Sequence, residues 1–298
     1  MLKNISKKIK MVFTEDGFTY GNCLLVEDDV RLLIDSGAGQ ALAEARPEGV
    51  DFLINSHHHY DHIRGNDSCT QAKVLLHPLE QKLLQAPQNL TASAGWEELM
   101  GYNNYFDPRN IGIRLEQTNR SWRIDEEIYD GQIIDCGQTK LIVLHTPGHS
   151  PGHCCFYFPD EELVFLGDIC LTKVGPWYGD PQTNIDDFLK SIDRIIELHP
   201  KKLVTGHINT IISDNPQSTL IEYRDRILMR EQQILQHLQK VPCTIHQLAE
   251  QHIIYRKHHT SFVLFWEKAM LKNHLQRLLN LELIELVEDG RYRIRKAG

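Results

Sequence analysis

The stretch Ser56-His57-His58-His59-Tyr60-Asp61-His62 sets four metal-ligating side chains, His57, His59, Asp61 and His62, within six residues. It follows directly on Phe52 to Asn55, an apolar run of strand length. A loop leaving a strand end can turn alternate side chains toward one point, so His57 and His59 can share one ion while Asp61 and His62 reach a second. Imidazole and carboxylate are the ligands of hydrolytic zinc, and three protein ligands per ion leave a position for water. A spacing this dense favours a pair of ions.

The remaining ligands must come from elsewhere, and three glycine-marked strand ends offer them. These are His149 in Thr146-Pro147-Gly148-His149, Asp168 in Leu166-Gly167-Asp168, and His207 in Thr205-Gly206-His207. Glycine beside each ligand permits a tight turn and close backbone approach, so all three can be delivered to one sheet edge. A surface histidine cluster would not need that order. His58 and Tyr60 alternate with the ligands and are expected to point away, whereas His77, His145, His153 and His199 read as structural histidines.

At 298 residues the chain is long enough for about two domains and a sizeable core. Its composition is that of a soluble globular protein. The basic segment Met1 to Lys10 precedes an apolar run too short for a signal peptide or membrane helix, which predicts a cytoplasmic protein without membrane association. Seven cysteines, an odd number with no CxxC pair, sit mostly in apolar runs and read as reduced thiols. The net charge of −8 works against non-specific nucleic-acid binding, although residues 241–298 carry nine Lys and Arg against six Asp and Glu.

Strand-like runs at Asn22 to Glu27, Val30 to Ile34, Phe52 to Asn55 and Lys73 to Leu76 are followed by a second set. This set comprises Gln132 to Cys136, Lys140 to Leu144, Cys154 to Phe158, Leu163 to Leu166 and Leu203 to Thr205, and the two sets imply two sheet-rich halves. An amphipathic helix over Ile185 to Leu198 is capped by Asn184, and a long one starts at Asn215-Pro216, a cap followed by proline at the first helical position, and ends at Pro242. The polar but aromatic-bearing segment 86–123, with Trp96, Tyr102, Tyr105, Phe106 and Trp122, reads equally as an insertion with its own small core or as a cover for a substrate pocket. Beyond 240, helices around Thr244 to Gln251 and Ser261 to Leu281 precede a strand pair turning at Asp289-Gly290. The expected division is a catalytic domain over 1–240 and a winged-helix-like domain over 241–298.

Through Ser56 to His62, Thr146 to His149, Gly167-Asp168 and Gly206-His207, the sequence resembles the metallo-β-lactamase superfamily over roughly residues 12 to 212. The resemblance implies an α/β fold, a four-layer αβ/βα sandwich with the site where the two sheets meet. It implies that His57, His59 and His149 bind one ion, that Asp61, His62 and His207 bind the other, and that Asp168 bridges them. Asp35, in Ile34-Asp35-Ser36-Gly37, resembles a position that supports the metal loop. The implied cofactors are two Zn2+, with Mn2+ or Fe2+ as substitutes. A bridging hydroxide would be the nucleophile, its pKa lowered from nearly 16 toward about 7, with Asp61 orienting the water.

A bridging aspartate resembles the glyoxalase II, lactonase and phosphodiesterase branches; true β-lactamases carry cysteine or serine there. The residues after Asp168, Ile169 to Pro176, lack the glycine- and arginine-rich stretch of glyoxalase II. The tail resembles that of lactamase-like proteins that include single-strand endoribonucleases, and Arg256, Lys257, Arg277, Arg291, Arg293 and Arg295 could touch phosphates. A wing also packs on its own domain or on a second subunit, which leaves room for a homodimer. Three readings follow: a hydrolase of small esters or thioesters, hydroxyacylglutathione hydrolase-like, as the leading one; a metal-dependent endoribonuclease or phosphodiesterase, which predicts a positive path from the tail to His207; and a non-enzymatic winged-helix regulator.

Overall fold

A computed structural model describes residues 1–84, 95–101, 107, 109, 113 and 120–296. Seven strands form the first sheet in chain order: β1 (Leu2–Asn4), β2 (Ile9–Val12), β3 (Cys23–Glu27), β4 (Arg31–Ile34), β5 (Phe52–Ile54), β6 (Lys73–Leu76) and β7 (Glu126–Glu127). The pairs from β1 to β4 are antiparallel and those from β4 to β7 parallel. The second sheet has the order β12-β11-β10-β9-β8, built from β8 (Ile133–Asp135), β9 (Lys140–His145), β10 (Cys154–Phe158), β11 (Leu163–Phe165) and β12 (Lys202–Val204). The two halves expected from the apolar runs are these two sheets. β1, β2 and β7 were not anticipated: β1 and β2 are short, with Lys3, Lys7, Lys8 and Lys10 in and between them, and β7 is a pair of glutamates with no apolar residue.

Strand alternation sends successive side chains into different layers. Leu24, Val26, Val143, Phe156 and Phe165 enter one core between the sheets. Their neighbours Cys23 and Leu25 pack outward on Ala38, Leu42 and Ala45, while Leu144, Cys155 and Val164 pack outward on the helical layer. That layer contains α4 (Ile185–Glu197) and α5 (Pro216–Lys240); three short helices, α1 (Tyr60–Ile63), α2 (Pro78–Leu84) and α3 (Trp96–Met100), precede them. The result is helix, sheet, sheet, helix. Asn184 caps α4 as expected, accepting from the Asp187 amide. Asn215 does not cap α5 with its side chain; it adopts a left-handed conformation and its carbonyl accepts from Thr219.

The tail comprises α6 (Ile245–Ala249), α7 (Ser261–Asn280) and a ribbon of β13 (Ile284–Leu286) with β14 (Tyr292–Ile294). Thr244 forms a capping box with Gln247, and Thr260 caps α7. The expected two-residue turn is longer, since Leu286 pairs with Tyr292, although Asp289 and Gly290 have the positive φ that the pair predicts. Met270, Leu271, Leu275 and Leu278 of α7 belong to the same buried cluster as Phe188 and Ile192 of α4, so the tail is fastened to the second sheet's helical layer.

Of the segment 86–123, Tyr102, Tyr105 and Phe106 lie outside the described residues. Trp96 does not centre a core of its own; it packs on Phe265 of α7, and Lys268 donates to the Leu99 carbonyl at 2.8 Å. Trp122 packs near Ile63, Leu76 and Leu84. All seven cysteines are buried and free, and no helix among the described residues is long and apolar enough to cross a membrane.

Candidate metal centre

β5, β9, β11 and β12 end on the same side, and within four residues of those ends come His57, His149, Asp168 and His207. His59 precedes the first turn of α1, and Asp61 and His62 lie within it. Two glycines are required by this crowding. Gly148 has φ +133°, and a Cβ there would meet the Phe188 backbone at 2.3 Å. A Cβ on Gly206 would lie 2.7 Å from His62 Cε1 and 3.1 Å from Asp168 Oδ1.

All seven residues expected to ligate metal converge, in two groups. His149 Nε2 lies 3.2 Å from His57 Nε2, 3.0 Å from His59 Nδ1 and 3.4 Å from Asp168 Oδ2. On the other side, His207 Nε2 lies 3.3 Å from Asp61 Oδ2 and 3.1 Å from Asp168 Oδ1, and His62 Nε2 lies 3.0 Å from that same Oδ1. The two oxygens of Asp168 therefore divide between the two groups.

The remaining ring nitrogens fix the tautomers. His149 Nδ1 donates to the Trp177 carbonyl at 3.1 Å, His59 Nε2 to Asp180 Oδ2 at 2.6 Å and His62 Nδ1 to Asp35 Oδ2 at 2.8 Å. Ser56 Oγ donates to Asp35 Oδ2 at 2.8 Å and so accepts from His57 Nδ1 at 3.0 Å. In their neutral forms His57, His59 and His149 would point lone pairs at one another at close range, and lone pairs so placed repel unless a cation, a proton or a metal ion, lies between them. In the second group, His62 Nε2 and Asp168 Oδ1 are buried with no hydrogen-bond partner. Uncompensated acceptors of this kind fit divalent metal ions. His57, His59, His149 and Asp168 could hold one ion, and Asp61, His62 and His207 a second. His58, His59 and Asp180 also gather, but the 2.6 Å spacing from His59 to Asp180 is a hydrogen bond and Glu80 engages His58 Nδ1.

Burial, reinforced by the other imidazoles, holds His57 well below the ordinary histidine value; burial also lowers His149 to about 4. Burial opposes charge on His59 too, yet Asp180 overrides it and raises the group to about 9. His62 and His207, against the same burial, are pushed up chiefly by Asp168. For Asp61 burial favours the neutral acid, but His62 and His207 bring it down to about 2. The site is a mixed field of carboxylates and imidazoles ready to exchange protons for cations.

Asp35 supports the metal loop as expected: at φ 60° and fully buried, it accepts from the Ser56 amide at 2.7 Å as well as from Ser56 Oγ and His62. His58 indeed points away, onto Glu80. His153 is structural, its Nε2 accepting the Asp168 amide at 3.0 Å, and His77 and His145 stack on each other. Sequence reasoning missed Glu80, Asp180 and Trp177. Glu80 lies in α2 and Asp180 in a Gly-Asp-Pro turn, where nothing local distinguishes them from surface acids.

The chain matches the metallo-beta-lactamase superfamily over residues 16–207, well over half its length. It belongs to that superfamily. In this superfamily chain, the matched span holds all seven converging residues. The chain is 34% identical over 88 residues to the human acyl-coenzyme A thioesterase, 28% of this chain and 31% of that protein. It is 28% identical over 134 residues to the hydroxyacylglutathione hydrolase of Brucella anthropi, 45% of this chain and 38% of that protein. It thus spans about a third of the length of these relatives. A metallo-beta-lactamase family protein from Thermus thermophilus shares the fold at a TM-score of 0.80 and 23% identity, over 98% of this chain and 100% of that one. The superfamily and its hydrolase-named relatives make this a metal-dependent hydrolase.

The centre opens into a cavity of about 730 Å³. His59, Asp61, Asp168 and His207 form its floor, and Trp96, Trp177, Phe262 and Trp266 stand among its walls. None of the described residues that line it is Lys or Arg.

Proposed function

We propose that the protein is a dinuclear zinc hydrolase of small esters or thioesters, with His57, His59, Asp61, His62, His149, Asp168 and His207 as ligands. The observation that carries this reading is the division of Asp168, Oδ2 toward His149 and Oδ1 toward His62 and His207. Bound ions there would activate water and polarise the substrate carbonyl. The protein's own part is positioning. Asp35, Asp180 and the Trp177 carbonyl fix the imidazoles, His153 holds the Asp168 backbone, and Asp61 Oδ2, on the cavity floor, can take a proton from the attacking water.

The cavity favours a neutral, apolar substrate over a phosphodiester. A nuclease needs cations along the path to the site, and none of the described lining residues is basic. Among the tail's basic residues, Arg277 pairs with Glu231 and Asp186, Arg291 with Asp289, Arg293 with Glu285 and Arg295 with Glu282. That disposition supports a tail serving the catalytic unit of residues 1–240. A winged-helix-like unit over 241–298 would then act in substrate binding, and a purely regulatory role leaves the convergent site unexplained.

The test is elemental analysis joined to an activity screen. Purified protein should carry close to two ions per chain, and Asp168→Asn should reduce metal content and lower thioester hydrolysis by at least a hundredfold. A folded, metal-free and active preparation would overturn the reading. Cleavage of single-stranded RNA with no action on esters or thioesters would favour the nuclease.

A further inference from the structure

We infer that α7 and the loop before it form the acyl-recognition wall of the site, with Trp266 selecting a substrate whose acyl group is an apolar hydrocarbon. This rests on the ester or thioester reading above and names the substrate class within it. Trp266 sits at the centre of a connected set of rings. Its centroid lies 4.4 Å from Phe262, 5.7 Å from Phe18, 6.2 Å from Trp177 and 6.2 Å from Tyr255. Trp177 in turn stands edge-on to the metal-site residue His59 at 5.7 Å. An apolar surface therefore runs from the floor of the cavity to Phe18, which is 56% exposed.

The rings come from four separate parts of the chain, yet all line the one cavity, and Trp96 and Phe265 extend the wall at 4.7 Å from each other. Trp177, Tyr255, Phe262 and Trp266 are only half-buried. Aromatic area left facing a cavity gains most when an apolar group covers it. With no lysine or arginine among the described lining residues, an anionic carrier has no counter-charge there, so the acyl end is the part that enters. Hydrolysis would form a C–O bond from water and break the C–S or C–O bond to the leaving group, and the leaving group would depart as the protonated thiol or alcohol. The carboxylate product would occupy the same wall.

The experiment compares N-acetylcysteamine thioesters of acetate, hexanoate and decanoate on protein supplied with two equivalents of zinc, so that the leaving group stays constant. The wild-type kcat/KM should rise by about fourfold per buried methylene until the cavity fills. Trp266→Ala should collapse the ratio of decanoyl to acetyl kcat/KM by at least tenfold, whereas Trp266→Phe should keep most of it. A wild type indifferent to chain length, or a Trp266→Ala variant with the ratio intact, overturns the inference. Calorimetric binding of decanoate against acetate is read without turnover. Decanoate preference without hydrolysis of any thioester or ester would leave the wall standing and sink the hydrolase reading; no preference for decanoate would sink the wall itself.

Discussion

His59 donates from Nε2 to Asp180 Oδ2 at 2.6 Å, which commits the lone pair on its Nδ1 to the cluster with His149. Asp180 is far away in sequence, on the loop between β11 and α4, and it lines the cavity beside the ring it orients. Replacing Asp180 with Asn keeps the shape but leaves an amide that can present its N–H₂ to the ring. Loss of an orienting carboxylate of this kind weakens metal binding by roughly 10–100-fold. Zinc competition with a chromophoric chelator should register that loss in Asp180→Asn, and an unchanged affinity would remove Asp180 from the positioning role.

Asn273 of α7 donates to the carbonyls of Tyr178 at 2.7 Å and Asp180 at 3.1 Å, so the tail holds the loop that holds His59. Each neutral hydrogen bond contributes on the order of 1 kcal/mol. Asn273→Ala should therefore weaken zinc binding by about tenfold while the far-ultraviolet circular dichroism stays that of the wild type. Asn273→Asp, which sets an acceptor against two carbonyls, should be worse than Ala. Equal zinc affinity in all three proteins would sever the proposed link between tail and site.

Glu80, fully buried in α2, accepts from the His58 amide at 2.9 Å, Ser150 Oγ at 2.8 Å and the Gly152 amide at 2.5 Å, and it engages His58 Nδ1. Burial favours the neutral acid, yet His58 and these donors hold the carboxyl well below its usual range. The group thus joins the loop bearing His57 to the loop bearing His149. Glu80→Gln leaves a buried ring and several donors short of a charged partner, with an expected cost of about 3 kcal/mol. Urea unfolding of the zinc-free protein would reveal it as a lower midpoint with the slope retained; a shift below a third of that size would count against this role.

The metal-free protein should be most stable near the ordinary histidine pKa and lose stability in both directions. His149 and His153 are lowered, chiefly by burial, to about 4 and about 3, so their contribution is present above about 6.5 and is lost as the pH falls through the folded values. His59 is raised to about 9 despite its burial, through Asp180, so its contribution is present below about 6.5 and is lost as the pH rises toward 9. Bound zinc replaces protons on the raised imidazoles and should abolish the alkaline loss while releasing protons, which calorimetry in buffers of different ionisation enthalpy measures directly. A zinc-free stability that climbs steadily to pH 9 would contradict the assignment of His59.

Much of this molecule was legible in one dimension because its signals are local. Apolar runs gave nine of the strands to within about a residue, and Asn184 gave the start of α4. β1, β2 and β7 escaped because they are too short to show a period, with lysines in and between β1 and β2 and no apolar residue in β7, and the side-chain cap expected of Asn215 failed because its left-handed backbone turns the carbonyl, rather than the side chain, toward the helix. The tail read as a separate unit and the insertion equally as a small core of its own or as a pocket cover; Trp96 and Phe265 pack together over the site.

By itself the sequence determined which residues converge, since His57, His59, Asp61 and His62 share one loop and His149, Asp168 and His207 each sit beside a glycine at a strand end. Such motifs encode local geometry, and strand pairing then brings the ends together. What surrounds that centre was decided only by tertiary structure. Asp180 and Glu80 reach their histidines across long stretches of chain, and the wall around Trp266 assembles from segments whose contacts depend on how α7 packs against α4. Contacts between residues so far apart leave no periodic trace, because each partner obeys only the rules of its own helix or turn.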